Sequence, residues 1–406
     1  VLYGATGFAG RLVAEYFARK NPDVRWAIGG RNPEKLEDTR ADLLDEFPAL
    51  DDVSTVVADS TDRDSLDEMA SRTRVVCTTV GPYAKYGDEL VAACVEHGTD
   101  YCDLTGEVHW IRRMLDKHHA AAEASGARIV HCCGFDSIPS DLGTLMLQDY
   151  AEEHFGARCN HVKFYVRGAS GGFSGGTIDS MANLMEEAGR DADIRKIVGH
   201  PYSLNPPGER EGPDGSLQQG PRYDEDIESW TGPFVMASVN EKIVRRSNAL
   251  RDFEYGRDFQ YGESMQLGSG IRGAVSEGGV SAAMGGFTGA MALGATRKLL
   301  QKWVLPEPGE GPSREEIENG YFKVELLGKG IAEDGWSFKI IGTVSADKDP
   351  GYGATAIMLG ESALCLAEDV IDDGLAGGIL TPASAMGMPL VERLRDAGMT
   401  FEVRQA

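Results

Sequence analysis

Three glycines near the start of the chain are spaced so that the backbone around them could bind a phosphate group. Gly4, Gly7 and Gly10 follow an apolar strand end and lead into a run with apolar residues at helical spacing. Gly4 permits a tight turn, Gly7 lets the backbone approach a pyrophosphate, and Gly10 lets the helix pack on the strand. The N–H groups that begin the helix would then face the phosphates of a dinucleotide, and we assign Thr6 and Phe8 to the same site.

The end of the second predicted strand suggests which dinucleotide binds. Many NAD sites place an acidic residue there to hold the ribose 2′-hydroxyl, whereas this sequence has Arg31. A guanidinium suits a 2′-phosphate, and Lys35 could add charge, so we predict a preference for NADP(H). The alternative is a solvated surface arginine. Asp59, after the third strand, lies where such folds often contact adenine.

These residues require a sheet of parallel strands that alternate with helices, because ligands of such sheets bind outside the carboxyl ends of the strands. The first third of the chain shows this alternation. The fourth strand, Val75 to Val80, ends in Gly81-Pro82-Tyr83, and we expect Val80, Gly81 and Pro82 to cover the nicotinamide half of the cofactor. We predict Ser140 or Asp141 as the N-cap of a helix that runs through Leu147.

Several motifs carry a family resemblance over nearly the whole chain. GATGFAG, GGRNPEKL, TTVGPYAKYG, DLTGE and CCGFDSIPSDLG resemble those of saccharopine-dehydrogenase-like oxidoreductases. Near the C-terminus, GYGAT at 351–355, LGESA at 359–363 and GGILTPA at 377–383 resemble the branch called trans-acting enoyl reductases. The resemblance implies an NADP-type Rossmann domain, an α/β substrate domain, and reduction of enoyl groups on polyketide-derived lipids. It matches the glycine motif, Gly81, Pro82, Tyr83 and Asp136, but it brings no catalytic acid with it.

Enoyl reduction needs hydride on the β-carbon and a proton on the α-carbon or the enolate oxygen. Tyr83 is the first candidate donor because a phenol can stabilise an enolate, although it could instead pack on the cofactor. Asp136 could orient the carboxamide or cap the following helix. Asp103 and Glu107 could act as acid or base if their pKa values were raised, or could form salt bridges. The residues to test are therefore Tyr83, Glu107 and His109.

Two other functions remain open on the sequence. Saccharopine-type imine or amino-acid chemistry would need cations that clamp carboxylates, and Arg167, Arg245 and Arg246 are the candidates. A nucleotide-dependent, lipid-associated binding protein without enzymatic activity is the third hypothesis. No metal site is expected, because the neighbours His118-His119 and Cys132-Cys133 point to different faces of their elements.

Composition limits the class of protein. A chain of 406 residues suggests two domains, and its net charge of −24 without a basic stripe disfavours a nucleic-acid partner. The charge fits either a halophile's surface or an ordinary acidic bacterial protein. Seven cysteines, mostly in apolar runs, suggest reduced thiols in the cytosol. The chain opens inside its first predicted strand without an initiator Met, so we expect a few upstream residues to be missing. No signal peptide is visible.

The pattern changes in the second half of the chain. We divide it into a dinucleotide-binding domain at 1–147, a substrate domain with a mixed, mainly antiparallel sheet at 148–350, and a segment at 351–406 that returns to the first domain. A helix is predicted for 177–188, a long surface loop for 199–233, and a strand with alternating aromatics for 253–265.

One stretch, 278–296, has no charge and is rich in glycine and alanine, with a GxxxG pair at Gly285 and Gly289. A close helix contact within the fold or in a homodimer is the first interpretation. A peripheral lipid-facing surface and a true membrane span are the alternatives. With the reduced cysteines, the predicted location is the cytoplasm. The stretch 278–296 leaves contact at the membrane surface open.

Overall fold

The computed structural model describes residues 1–50, 53–170, 187–268, 311–368 and 374–406. Within these residues the strands form two sheets of seven strands each. The first sheet is entirely parallel and the second is mixed, so the predicted fold class, a Rossmann-type domain plus a second α/β domain, is confirmed.

The first sheet has the strand order β13-β6-β5-β4-β1-β2-β3. Its strands are β1 (Leu2–Tyr3), β2 (Ala27–Gly30), β3 (Ser54–Val57), β4 (Val75–Thr78), β5 (Asp100–Asp103), β6 (Arg128–Val130) and β13 (Gly378–Leu380). The connecting helices are α1 (Phe8–Lys20), α2 (Pro33–Glu46), α3 (Arg63–Ser71), the short α4 (Tyr83–Tyr86), α5 (Asp88–His97) and α6 (Val108–Ser125). The order reverses beside β1, and this puts the glycine turn and the β4 loop at one crevice.

The second sheet has the order β14-β12-β11-β7-β10-β9-β8. Its strands are β7 (His161–Ser170), β8 (Arg222–Asp224), β9 (Ser229–Gly232), β10 (Gln260–Gly268), β11 (Tyr321–Ile331), β12 (Ser337–Ala346) and β14 (Thr400–Gln405). The β7–β10 pair is parallel and the other pairs are antiparallel. The strands β11 and β12 form an antiparallel hairpin, with its turn at Glu333-Asp334-Gly335.

The remaining helices pack partly on the second sheet and partly on the first domain. They are α7 (Ile138–Phe155), α8 (Ala192–Gly199), α9 (Ala237–Leu250), α10 (Arg314–Asn319), α11 (Gly353–Glu368), α12 (Pro382–Ala385) and α13 (Gly387–Asp396). The helix α7 packs against β11, β12 and β14. Because α7 continues to Phe155, the boundary expected at residue 147 falls inside a helix.

The C-terminal segment contributes to both sheets. Its strand β13 pairs with β6, and its strand β14 pairs with β12. The buried carboxylate of Glu361, on α11, bonds Tyr16 and Lys20 of α1 and Arg393 of α13. These contacts tie the last quarter of the chain to the first helix.

Three local predictions were wrong. The N-cap of α7 is Ser137, and Ser140 and Asp141 lie buried in the first turn, because the chain already turns at Gly134. The loop predicted for 199–233 contains β8 and β9. The strand predicted from Phe253 begins only at Gln260, because Phe253 has a φ of 59° in a turn.

The uncharged stretch 278–296 lies outside the described residues, as does most of the helix predicted for 177–188. Among the helices that the structure describes, none has the length and apolar character needed to cross a bilayer.

Candidate functional site

The glycine turn has the geometry that the sequence predicts. Gly4 has a φ of 95°, which favours glycine. A Cβ atom at Gly10 would lie 2.1 Å from the carbonyl oxygen of Gly4, so only glycine allows α1 to approach the turn this closely. The turn and the helix start are therefore fixed relative to each other.

Gly7 is different, since no contact with the described residues demands a glycine there. Its φ is −87°, and a Cβ atom would only touch the Gly4 carbonyl at 3.4 Å. As the N-cap of α1, Gly7 supplies no side-chain cap, and the first turn holds no acidic residue. The N–H groups of this turn are thus open to an anion, so the turn fits the pyrophosphate of a dinucleotide.

Arg31 and Asp59 lie together at the ends of β2 and β3. The Arg31 side chain is exposed and forms no ion pair with the residues that the structure describes. Asp59 accepts hydrogen bonds from the backbone and hydroxyl of Thr61, at 2.9 and 2.8 Å. These bonds, with the nearby Arg31, lower the pKa of Asp59. A free guanidinium at this edge is what a ribose 2′-phosphate requires.

Tyr83 is buried rather than open to the crevice. Its hydroxyl donates to the Thr78 carbonyl at 3.2 Å, and its ring lies 5.4 Å from that of Trp110. Burial, reinforced by the Asp103 carboxylate, raises the pKa of Tyr83 well above its usual value. This phenol holds the end of β4 in place, which fits the packed alternative better than a proton donor.

Glu107 supports the same loop. Its two carboxylate oxygens accept from the backbone N–H groups of Tyr83 and Ala84, at 2.8 and 2.9 Å. The carboxylate thereby caps the start of α4, where negative charge is favourable. Through this cap, Glu107 fixes the turn at Gly81-Pro82, which contains a cis peptide bond.

Asp136 lies six residues beyond the end of β6, and its carboxyl group is uncommitted. The side chain is only partly buried and makes no hydrogen bond within the described part of the chain. Burial of the group, with a smaller contribution from the Asp103 carboxylate, raises the pKa of Asp136 to about 7. Such a carboxyl can hold or release a proton near neutral pH.

A buried Asp103–His131 pair lies beneath this loop. Oδ2 of Asp103 is 2.7 Å from Nδ1 of His131 and accepts from the Tyr101 hydroxyl at 2.9 Å. Its Oδ1 accepts from the N–H groups of Thr105 and Cys132. Asp103 is therefore fully bonded. Sequence reasoning missed His131, although its place one residue beyond the end of β6, beside β5, was a usable signal.

His109 lies away from this pair, on α6. Its Nε2 is 3.0 Å from a carboxylate oxygen of Glu187, and burial is the main cause that lowers its pKa.

The C-terminal motif at 351–355 closes onto the crevice. The ring of Tyr352 meets that of Phe8 edge-on at 5.1 Å, and the Thr355 hydroxyl accepts from the backbone N–H of Phe135 at 3.0 Å. This motif therefore contacts both the glycine turn and the loop of Asp136. Sequence reasoning noted the motif without placing it in the site.

The three arginines considered as carboxylate clamps are all committed elsewhere. Arg167 pairs with Glu325, and Arg245 pairs with Asp214 and Glu241. Arg246 is buried and donates to two backbone carbonyls, each at 2.6 Å. Among the described residues there is also no group of acidic, histidine and cysteine side chains that could hold a metal ion.

Comparison with known proteins agrees with this geometry. Residues 1–130 match the family model of the saccharopine dehydrogenase NADP-binding domain. A Mycobacterium tuberculosis protein named as a trans-acting enoyl reductase is 42% identical over 99% of this chain and 96% of its own length. The trans-acting enoyl reductase of Mycobacterium ulcerans is 38% identical over 98% of this chain and 96% of that relative.

The fold also has a solved counterpart. Saccharopine dehydrogenase of Saccharomyces cerevisiae superposes with a TM-score of 0.55 at 12% identity, over 100% of this chain and 99% of that one. The glycine turn and the matched NADP-binding domain make the protein an NAD(P)-dependent oxidoreductase that binds NADP(H). With relatives of this identity along its full length, the chain belongs to the trans-acting enoyl reductase family of saccharopine-dehydrogenase-like oxidoreductases.

Proposed function

We propose that the protein uses NADPH to reduce the carbon–carbon double bond of an enoyl substrate, with Asp136 as the proton donor. The observation that carries this proposal is the uncommitted carboxyl group of Asp136, whose pKa is raised to about 7 at the strand ends where the cofactor turn lies. Among the candidates from the sequence, Tyr83 and Glu107 already use their polar atoms to bind the β4 loop. The names of the relatives supply the reaction class.

The residues of the chain divide the work between them. NADPH, when bound, supplies the hydride. The glycine turn holds the pyrophosphate, and Arg31 holds the 2′-phosphate. Glu107 and Tyr83 keep the turn at Gly81-Pro82 rigid, and Asp136 delivers a proton to the α-carbon or the enolate oxygen. Burial, with a smaller contribution from the Asp103 carboxylate, raises the pKa of Asp136 to about 7, so that part of the population carries the proton at neutral pH.

An apolar substrate is supported by what lines the loops around the crevice. Val80, Leu104 and Phe135 are partly buried apolar side chains on the loops after β4, β5 and β6. The candidate clamps Arg167, Arg245 and Arg246 are paired or bonded to carbonyls. A lipid or polyketide-derived enoyl chain fits these surroundings better than a dicarboxylic amino acid does.

The test is a comparison of two substrates with the full chain. NADPH consumption should be measured with an enoyl thioester of a medium-length acyl chain, and NADP⁺ reduction with saccharopine. We expect turnover only with the enoyl thioester. Turnover only with saccharopine would support the amino-acid alternative, and bound NADPH without turnover of any enoyl thioester would support the non-enzymatic one.

We also propose that the protein is cytoplasmic and makes peripheral contact with membranes through the uncharged stretch 278–296, which lies outside the described residues. Flotation with lipid vesicles should recover the wild-type chain weakly and lose the Met291→Glu variant if this stretch meets lipid. A variant that instead unfolds, from a wild-type chain that never floats, would place the stretch in the core or in a homodimer contact.

A further inference from the structure

A second cleft is lined by residues of β7, β8, β10 and α9 and by none of the residues assigned to the cofactor crevice. Its volume is about 610 Å³, within the usual range for small-molecule sites. The cleft follows β10 at 260–264, where that strand has no strand partner on one side because β9 pairs only from Met265 onward. The loop 214–221 forms the opposite wall.

The four carboxylates on the walls of this cleft are already satisfied. Asp214 and Glu241 pair with Arg245 and also accept the N–H groups of the open edge of β10. Asp224 accepts from Lys163 and Tyr165. Glu263 accepts from the Tyr261 hydroxyl and the Asn240 amide, at 2.8 and 3.0 Å. The acids of the cleft therefore leave little acceptor capacity for a ligand.

The polar groups of the cleft that remain without a described partner are mainly hydrogen-bond donors. The exposed guanidinium of Arg222, the imidazole of His161 and the buried hydroxyl of Ser264 form no side-chain hydrogen bond with residues that the structure describes. Burial is the first cause that lowers the pKa of His161, so the ring is neutral and offers one N–H near pH 7. Within the described part of the cleft, the Arg222 guanidinium together with these neutral donors could bind an anion.

We propose that this cleft binds a small organic molecule through an oxyanion, a phosphate or a carboxylate, held by Arg222 with His161 and Ser264 as further donors. The cleft is larger than one oxyanion, so the remainder of the ligand lies along the floor formed by β7 and β10. This site is separate from the cofactor crevice and does not depend on the reaction proposed above.

Gly262 offers a clean way to close the cleft. It lies on the floor between Tyr261 and Glu263, and a Cβ atom there would meet nothing within 4 Å. Its φ is not in the left-handed region, and the residue sits in a strand, where valine is favourable. Gly262→Val should therefore fill ligand space without disturbing the protein.

The experiment is calorimetric titration of the full chain, saturated with NADPH so that the probe cannot enter the cofactor site. The three probes share one carbon skeleton: glycerol 3-phosphate, glycerate and glycerol. We expect one or both anions to bind and glycerol not to bind, and the tighter anion identifies the natural group. Arg222→Ala should weaken binding about tenfold or more, and Gly262→Val should abolish it.

The matched control is Arg404→Ala, which removes an exposed arginine from β14 at the opposite edge of the same sheet. This control should bind the anion as the wild type does, and all variants should retain NADPH affinity, which shows that they are folded. The proposal fails if neither anion binds at millimolar concentration. It also fails if the Arg222→Ala and Gly262→Val variants bind the anion as tightly as the wild type does.

Discussion

Two acids, the partly buried Asp136 and the buried Asp141, lie on either side of the start of α7, and they differ in what their oxygens bind. Asp136, before the helix, has a pKa raised to about 7 and no hydrogen bond in the described structure. Asp141, in its first turn, also has a pKa raised by burial to about 7. Its oxygens, however, accept from the Ser247 hydroxyl and the Ala383 N–H.

The difference shows that a raised pKa alone does not identify a catalytic acid. Glu263, whose pKa burial raises to about 8, resembles Asp141, because both of its oxygens are bonded by Tyr261 and Asn240. A proton donor must be both protonated at the working pH and free to meet a substrate. We therefore expect changes at the strand ends to affect chemistry and binding, and changes beneath α9 to affect stability.

The largest effect should follow from Asp136→Asn. The side chain keeps its shape but loses its acidic proton, so turnover of the enoyl substrate should fall by roughly 10²–10⁴-fold. NADPH affinity should be unchanged. In the wild type, turnover should decline as the pH rises above about 7, because a raised pKa leaves the acid protonated only below that value.

The matched control is Asp141→Asn, which alters an acid with a similar pKa five residues away. This variant should lose stability in urea titrations while its folded molecules keep normal turnover. If Asp141→Asn abolished turnover and Asp136→Asn did not, the distinction between the two acids would be wrong.

Gly7→Val should have the next largest effect and should lower NADPH affinity about 100-fold or more. The added side chain would point into space that the protein leaves open and that the pyrophosphate needs, so the fold should remain intact. Fluorescence titration measures the affinity, and thermal unfolding measures the fold. Gly10→Val is the contrasting variant, since it should destabilise the protein itself through the contact with Gly4.

Arg31→Glu should have a smaller effect that is confined to one phosphate. The loss of a charge-assisted contact costs about 1.5–3 kcal/mol, which corresponds to roughly 10–100-fold in NADPH affinity. Affinity for NADH should stay the same or improve, because a carboxylate can accept from the 2′-hydroxyl. Equal affinities of the wild-type protein for the two cofactors would contradict the assigned role of Arg31.

The last prediction concerns the pH dependence of stability, which leaves both turnover and cofactor affinity aside. The pKa of Glu263 is raised from 4.5 to about 8 in the folded protein, so the native state keeps a proton that the unfolded chain loses. The free energy of unfolding should therefore fall as the pH rises from about 4.5 to 8, by about 1 kcal/mol per pH unit from this group.

Glu263→Gln should flatten the slope of unfolding free energy against pH, while Glu402→Gln, on an exposed position of β14, should leave it unchanged. Urea titrations at several pH values provide the measurement. A steeper slope in Glu263→Gln would contradict the raised pKa.

Local signals were sufficient for much of the first domain. The glycine spacing and the strand–helix alternation follow from neighbours in sequence, and the structure has them where the pattern predicts. The cofactor NADP(H) also followed from local residues, and it is confirmed.

What failed depends on distant contacts. The sequence around Tyr83 does not reveal whether its hydroxyl faces a substrate or the Thr78 carbonyl. Packing against Trp110, which is distant in sequence, selects the Thr78 carbonyl. His131 becomes notable only when β5 and β6 pair and bring it to Asp103. The N-cap at Ser137 likewise depends on the turn at Gly134. No pattern in one stretch encodes such contacts.

The placement of β13 and β14 has a consequence for how the molecule is made. The first sheet gains its seventh strand, and the second its edge strand, only from residues after 377. On a ribosome, the parallel strands β1 to β6 emerge long before β13 can pair with β6. Until then β6 presents an unpaired, buried-type edge, and the motif at 351–355 is not yet against Phe8. The nascent chain therefore completes its crevice only after residues 351–380 have been made, and until then the open edge of β6 is exposed to pairing with other chains.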